Sequence, residues 1–287
     1  MFPNLIVKTG ILILALPAIL LPLSALIYIF WQAAPALSFE FIFSVGEGES
    51  FGASTGIFAQ LLGSLLLALS ACVMAAPISF GTMIYFQLIA SPKQKNVLET
   101  IFTVLQGIPP LVYGLFGLLL FVHLWQWGVS LAAGAGILAM VILPTLVLNG
   151  ISALQRIPKD YTEAAQSLGL TENAVIMRVW LPQAWPGLLT GFLLAMARAL
   201  SETAPILFTA TVFSGVVWPQ SVFEPVTTLQ THIFYLAQEG SNPQAISVAW
   251  ASAAVLVMVV ALFGLLTRWL SRLDKKHSLL LEKAHES

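Results

Sequence analysis

Within the stretch ARALSETAPILFTA, residues 197–210, an arginine and a glutamate stand four positions apart among apolar neighbours. On a helix, Arg198 and Glu202 share a face and their side chains can meet. A charge near the centre of a bilayer costs about 2.5–3.5 kcal/mol on insertion scales, so neither side chain should face lipid. A guanidinium held in such a place is an anion partner, and the carboxylate beside it would orient it and partly neutralise it, so that a bound anion can leave again. Pro205 adds a second feature. Inside a helix it has no N–H for the carbonyl of Ser201, and irregular backbone at membrane depth is tolerated where it lines a cavity. Arg198, Ser201, Glu202 and Thr203 are therefore the candidate residues of a pathway. The other reading of the pair is an internal ion pair that only holds helices in register. No metal-ligating or catalytic constellation accompanies it.

The elements that must carry these residues follow from composition. Of 287 residues, 58% are hydrophobic and only 9% charged, and the mean hydropathy is strongly positive. Soluble domains carry about a quarter of their residues as charges, so the bilayer is the solvent expected here. Long stretches free of Asp, Glu, Lys and Arg, with the runs on either side of Arg198 and Glu202 joined into one, predict six spanning helices, at roughly 11–30, 57–87, 100–122, 129–149, 187–213 and 245–266. The turn HLWQWG at 123–128 reads as an aromatic interfacial link between the third and fourth. On the fifth, Gly187, Gly191, Ala195, Ala199 and Thr203 recur every four positions, a stripe that permits close helix approach, with the charges on its edge. Pro17, Pro22, Pro77 and Pro144 read as plain kinks.

Basic residues are retained on the cytoplasmic side. With the N-terminus inside, eleven of the twelve basic residues fall on the inner side, and the outer loops carry Glu40, Glu47, Glu49, Glu224 and Glu239 instead. The remaining basic residue is Arg198. Both termini are thus expected inside. The first apolar segment, with AAPA at 33–36, also has features of a cleavable signal, but its apolar core is longer than the usual 7–15 residues and favours an uncleaved helix. The single cysteine, Cys72, permits no disulfide within the chain. A net charge of -1 without a clustered basic face argues against a nucleic-acid partner.

Between the fourth and fifth spans, residues 160–182 read as a helix-turn-helix. The first helix ends at Gly169, a residue suited to a left-handed cap, and Thr171 suits the N-cap of a second helix ending before Pro182. Ala164 and Ala165 would expose backbone for close docking. An ordinary interfacial loop would have the same spacing.

Glu163, Ala164 and Ala165, then Gly169, and after nine further residues Val179, Trp180, Leu181 and Pro182, resemble the EAA loop of ABC-importer permeases. ARALSETAPILFTA, GIPPLVYGLFGLLLFV at 107–122 and residues 56–86 narrow the resemblance to the PstA-type permease subunit of bacterial phosphate ABC importers, over most of the chain from about Gly56 to Ala210. Ser201 stands where glycine is usual before the glutamate, and Thr162 where a basic residue is common.

The resemblance implies an all-α membrane protein of the type I, MetI-like permease architecture. It would be one domain over 1–287, with a core at about 56–267, a coupling loop at 150–186 and a cytoplasmic tail at 268–287. It implies a multi-pass protein of the inner membrane that passes inorganic phosphate, with Arg198 and Glu202 at the family's charged positions. Glu163, Ala164, Ala165, Gly169, Leu181 and Pro182 would couple to an ATPase. The implied partners are a PstC-type permease in a heterodimer, a PstB-type ATPase dimer and a periplasmic phosphate-binding protein. ATP and Mg would be used by the ATPase, and no cofactor would be bound by this chain.

The sequence holds no GxxxxGK[ST] phosphate loop, no HExxH and no GxSxG, so the chain is not expected to be an enzyme. His123 and His232 are expected near the outer surface, and His277 and His285 in the tail. Two rival readings remain: a permease for another oxyanion or a phosphonate, and a secondary anion carrier, which would usually show two related halves with matching broken helices.

Overall fold

The computed structural model describes residues 5–45, 56–212 and 218–285, and side chains within the terminal helices only from residue 10 to residue 272. Glu47 and Glu49, residue 213 at the end of the expected fifth span, and the side chains of the tail from residue 273 on lie outside the described residues. Among those described, every regular element is helical. Five helices are long and apolar enough to cross a membrane, and a bent pair makes the sixth span.

Helix α1, Leu5–Ala33, is followed by the short α2, Phe39–Phe43, and by α3, Phe58–Leu88. The third span departs from the expected 100–122. It begins earlier, as α4, Pro92–Gly107, where Ser91 and Gln94 form a capping box and Pro92 lies in the first turn. It then breaks at Ile108 and Pro109, both extended, and resumes as α5, Pro110–Gly117, which continues as π-helical turns over Leu118–Leu124. The two arms meet at 90°. Two adjacent prolines account for this: Pro109 withholds a donor from Leu105, and each proline pushes the residue before it out of the helical region.

Helix α6, Leu131–Gln155, starts at an N-cap where Ser130 accepts the amide of Ala133. After α7, Lys159–Ser167, and α8, Glu172–Val175, the chain passes through π-helical turns at Ile176–Trp180 directly into α9, Leu181–Ser201. The second loop helix therefore does not end before Pro182. The amide of Leu181 reaches back five residues to Ile176, and Pro182, in the first turn of α9, needs no donor.

The fifth span is also shifted from the expected 187–213, beginning earlier, at Glu172, and ending sooner. It stops at Ser201, with Glu202 extended at the C-cap, and a separate short helix α10 covers Ala204–Thr209. Pro205 lies in the first turn of α10 and is not a kink inside a continuous helix. Helix α11, Leu229–Gln238, which hydropathy did not predict, precedes α12, Pro243–His285. Pro17, Pro22, Pro77 and Pro144 do lie inside helices.

The core forms where α3, α6 and α9 meet, through Leu67, Ala71, Cys72, Ala135, Ile142, Ala195 and Leu200. Close approach is made by small residues. A Cβ on Gly187 would lie 2.7 Å from that of Ala153, and one on Gly191 would lie 3.0 Å from that of Asn149. Thus the glycine pair of α9 seats on one face of α6, as the spacing predicts, and Ala195 and Ala199 continue the buried stripe. A second cluster joins Ala33, Phe41 and Ile57 to α11 and the start of α12 at the acidic end of the bundle. A third, at the basic end, joins α3, α4 and α6 to α7 and Trp180.

Candidate functional site

Arg198 sits in the last turn of α9, where the negative end of the helix dipole favours a cation. Its Nε lies 3.8 Å from Glu202 Oε1, close enough for attraction and too far for a hydrogen bond. Nη1 donates to the hydroxyl of Thr145 on α6 at 3.3 Å. The Arg198 side chain is 32% exposed and that of Glu202 14% exposed, so the pair is neither fully dry nor facing bulk solvent. Nε itself is buried and has no hydrogen-bond partner. The structure thus brings the two charges together, although the backbone at Glu202 is no longer helical.

Of the other expected pathway residues, Ser201 is exposed and its hydroxyl donates to Ala197 within α9 at 2.8 Å. Thr203 is half-buried at the break, and its carbonyl accepts the amide of Leu207, inside α10.

Thr145 and Tyr113 were not singled out by spacing. Thr145 is 6% exposed in α6, and its carbonyl also accepts the side-chain amide of Asn149 at 2.7 Å. A hydroxyl following Pro144 in an apolar run was the only signal. Tyr113, 6% exposed on α5, lies within electrostatic reach of Arg198. Its hydroxyl donates to the carbonyl of Leu105 at 2.9 Å. Helices α5 and α10 pack together, and a Cβ on Gly114 would stand 2.9 Å from the carbonyl oxygen of Ala204 and 3.1 Å from Cα of Pro205. The broken third and fifth spans therefore touch beside the charge pair. A guanidinium fixed at one corner by Thr145, with N–H groups left over and a carboxylate loosely set against it, can take a small oxyanion in its fork and release it.

At the basic end, α7 closes with a Schellman motif: the amide of Leu170 bonds Ala165 O, that of Gly169 bonds Gln166 O, and Gly169 has φ +79°. Thr171 then caps α8 by accepting the amide of Ala174. Glu163, Ala164 and Leu168 are exposed, whereas Ala165 is buried against the chain's own core and offers no surface. Thr162 accepts the indole N–H of Trp180 at 3.0 Å and so ties α7 to the π-helical turns. Leu181 is half-buried and Pro182 exposed. His232, expected near the outer surface, is buried in α11.

Six spans bundled round a charged break, with a capped helical loop at their basic end, define a multi-pass membrane permease. The particular family follows from comparison: residues 77–276 match the binding-protein-dependent transport system inner membrane component family, and the chain belongs to it. It is a protein of the inner membrane. It is 32% identical over 261 residues to a probable ABC transporter permease, YqgI, of Bacillus subtilis, covering 87% of this chain and 88% of that protein. It is 34% identical over 234 residues to the phosphate transport system permease protein PstA 2 of Mycobacterium tuberculosis, covering 81% and 78%. Among solved structures, the inward-facing MetNI methionine ABC transporter aligns at a TM-score of 0.59 and 18% identity, covering 76% of this chain and 94% of that one. A bacterial alginate ABC transporter, solved with a pentasaccharide-bound periplasmic protein, aligns at 0.61 and 15%, covering 93% and 92%. These two likenesses establish the ABC-importer permease fold.

Proposed function

We propose that the chain is the permease subunit of an ATP-driven importer and forms, with a second permease, the pathway for inorganic phosphate across the inner membrane. The observation that carries this reading is the Arg198 guanidinium, hydrogen-bonded to Thr145 and set 3.8 Å from Glu202 where the fifth span breaks. The phosphate transport permeases among its relatives supply the choice of anion.

In this reading Arg198, Ser201, Glu202 and Thr203 line the pathway. A dianion entering the break would take the free guanidinium N–H groups, while Glu202 limits how tightly it is held, since a bound ion must also leave. The coupling surface is the exposed part of the basic-end loop: Glu163, Ala164, the cap at Gly169, Leu181 and Pro182, with Ala165 holding that surface to the bundle from beneath. The partners are a PstC-type permease, a PstB-type ATPase dimer that binds and hydrolyses ATP with Mg, and a periplasmic phosphate-binding protein. This chain binds no cofactor itself. It forms one permease domain, with a core at about 56–267, the coupling loop at 150–186 and a cytoplasmic tail from 268.

The test is reconstitution of the complete complex with its binding protein in liposomes, with uptake of labelled phosphate followed on addition of ATP. Uptake that sulfate, molybdate and a phosphonate fail to compete supports the reading. Uptake of another of these anions instead of phosphate overturns the substrate, and phosphate movement without ATP overturns the importer class.

A further inference from the structure

The break between α9 and α10 leaves unpaired a backbone group that a continuous helix would satisfy. In an unbroken helix the amide of Ala204 would bond the carbonyl of Leu200. The extended backbone at Glu202 removes that donor. The Leu200 carbonyl instead accepts a hydrogen bond from the side-chain amide of Gln230, at 2.7 Å. Gln230 belongs to α11, thirty residues further on, and is 4% exposed.

Gln230 is in turn held from α3. The Ser64 hydroxyl lies 2.9 Å from Gln230 Oε1, and Ser64 Oγ accepts the amide of Leu229 at 2.8 Å. The same hydroxyl is also 2.9 Å from the carbonyl of Gln60, which competes for its hydrogen. The Leu229 amide donates to Ser64 and the Gln230 amide to Leu200, and the one hydroxyl hydrogen of Ser64 is shared between Gln230 Oε1 and the Gln60 carbonyl. Because a carbonyl only accepts, the Gln230 amide has a single workable orientation, and a flipped amide would aim oxygen at oxygen.

We propose that Gln230 is a positioning residue for transport. It fixes the Leu200 peptide, two residues before Glu202 on the turn that carries Arg198, and thereby sets where the Glu202 carboxylate stands against the guanidinium. The proposal rests on the phosphate-pathway reading of that pair. Gln230 itself touches no substrate. It acts through Glu202, so its effect must depend on Glu202 being present.

The experiment is steady-state phosphate uptake by the reconstituted complex, for wild type, Gln230→Leu, Glu202→Gln and the double variant, each with bound ATPase subunit quantified. Gln230→Leu is expected to raise the KM for phosphate by about tenfold while the complex still assembles, the scale of one buried hydrogen bond lost. In the Glu202→Gln background the same change is expected to add less than about twofold, the mark of two residues acting through one site. A wild-type KM in Gln230→Leu, or an undiminished effect in the double variant, overturns the proposal. Should Gln230→Leu fail to assemble, Ser64→Ala, which removes the hydroxyl that orients Gln230, is read by the same two criteria. If wild type moves no phosphate, the pathway reading fails, and the positioning claim is then judged by spin labels at Leu194 and Leu207 in a Cys72→Ala background. A distance distribution that broadens in Gln230→Leu supports it, and an unchanged one overturns it.

Discussion

The Tyr113 hydroxyl stands 2.9 Å from the carbonyl oxygen of Leu105, the carbonyl that Pro109 leaves without its helical donor and that otherwise takes only the amide of Ile108, at 3.3 Å. One side chain thus repairs the break in the third span and also lies within reach of Arg198. Tyr113→Phe keeps the ring and loses the repair. Its thermal unfolding midpoint in detergent is expected to fall, reflecting about 1 kcal/mol for one hydrogen bond. An unchanged midpoint would show that the Leu105 carbonyl has no need of this cap.

Two glycines of α3 make an internal comparison. A Cβ on Gly63 would overlap the backbone carbonyl of Thr227, whereas one on Gly81 would meet nothing within 4 Å. Gly63→Ala is expected to destabilise by about 1–3 kcal/mol or to prevent assembly, because backbone cannot move aside as a side chain can. Gly81→Ala is expected to be neutral or to stabilise by up to about 1 kcal/mol through helix propensity. Equal stabilities for the two variants, measured by denaturation, would contradict the packing of α3 against the segment before α11.

Gly169 ends α7 at φ +79°, in the left-handed region. Gly169→Ala is expected to cost about 1–2 kcal/mol locally, and Gly169→Asn less, since asparagine tolerates that conformation. If the loop is the coupling surface, capture of the ATPase subunit from solubilised membranes should weaken several-fold in the alanine variant and recover partly in the asparagine variant. Equal capture by all three proteins would dissociate the cap from coupling.

Hydropathy located the spans because burial in lipid is a bulk property that long apolar runs report directly. It could not see where they break. The run at 100–122 holds no charge, yet Pro109 and Pro110 turn it by 90°, and the apolar runs on either side of Arg198 and Glu202 join into one expected span although Glu202 is extended. The small-residue stripe on α9 and the caps at Gly169 and Thr171 were legible, because each depends on residues a few positions apart. Thr145, Tyr113 and Gln230 were not. Their roles depend on partners contributed by distant segments, 53 residues away for Thr145 and Arg198 and 30 for Gln230 and Leu200. Ala165 shows the converse: the loop spacing placed it with Ala164, but consecutive residues on a helix face about 100° apart, and only Ala164 is exposed.

Arg198 is the residue proposed to take the anion. The most direct measurement is ATP-dependent uptake of labelled phosphate in cells lacking the gene, complemented with wild type, Arg198→Gln or Arg198→Lys, each matched for membrane abundance and for bound ATPase subunit. Arg198→Gln is expected to lower uptake by about ten- to a hundredfold, because it removes a charged hydrogen bond worth about 1.5–3 kcal/mol at a half-buried site. Arg198→Lys, with the charge but not the fork, should recover a fraction of it. Arg198→Gln that assembles fully and transports at the wild-type rate would rule out Arg198 as the anion partner and leave the pair a structural ion pair between neighbouring turns.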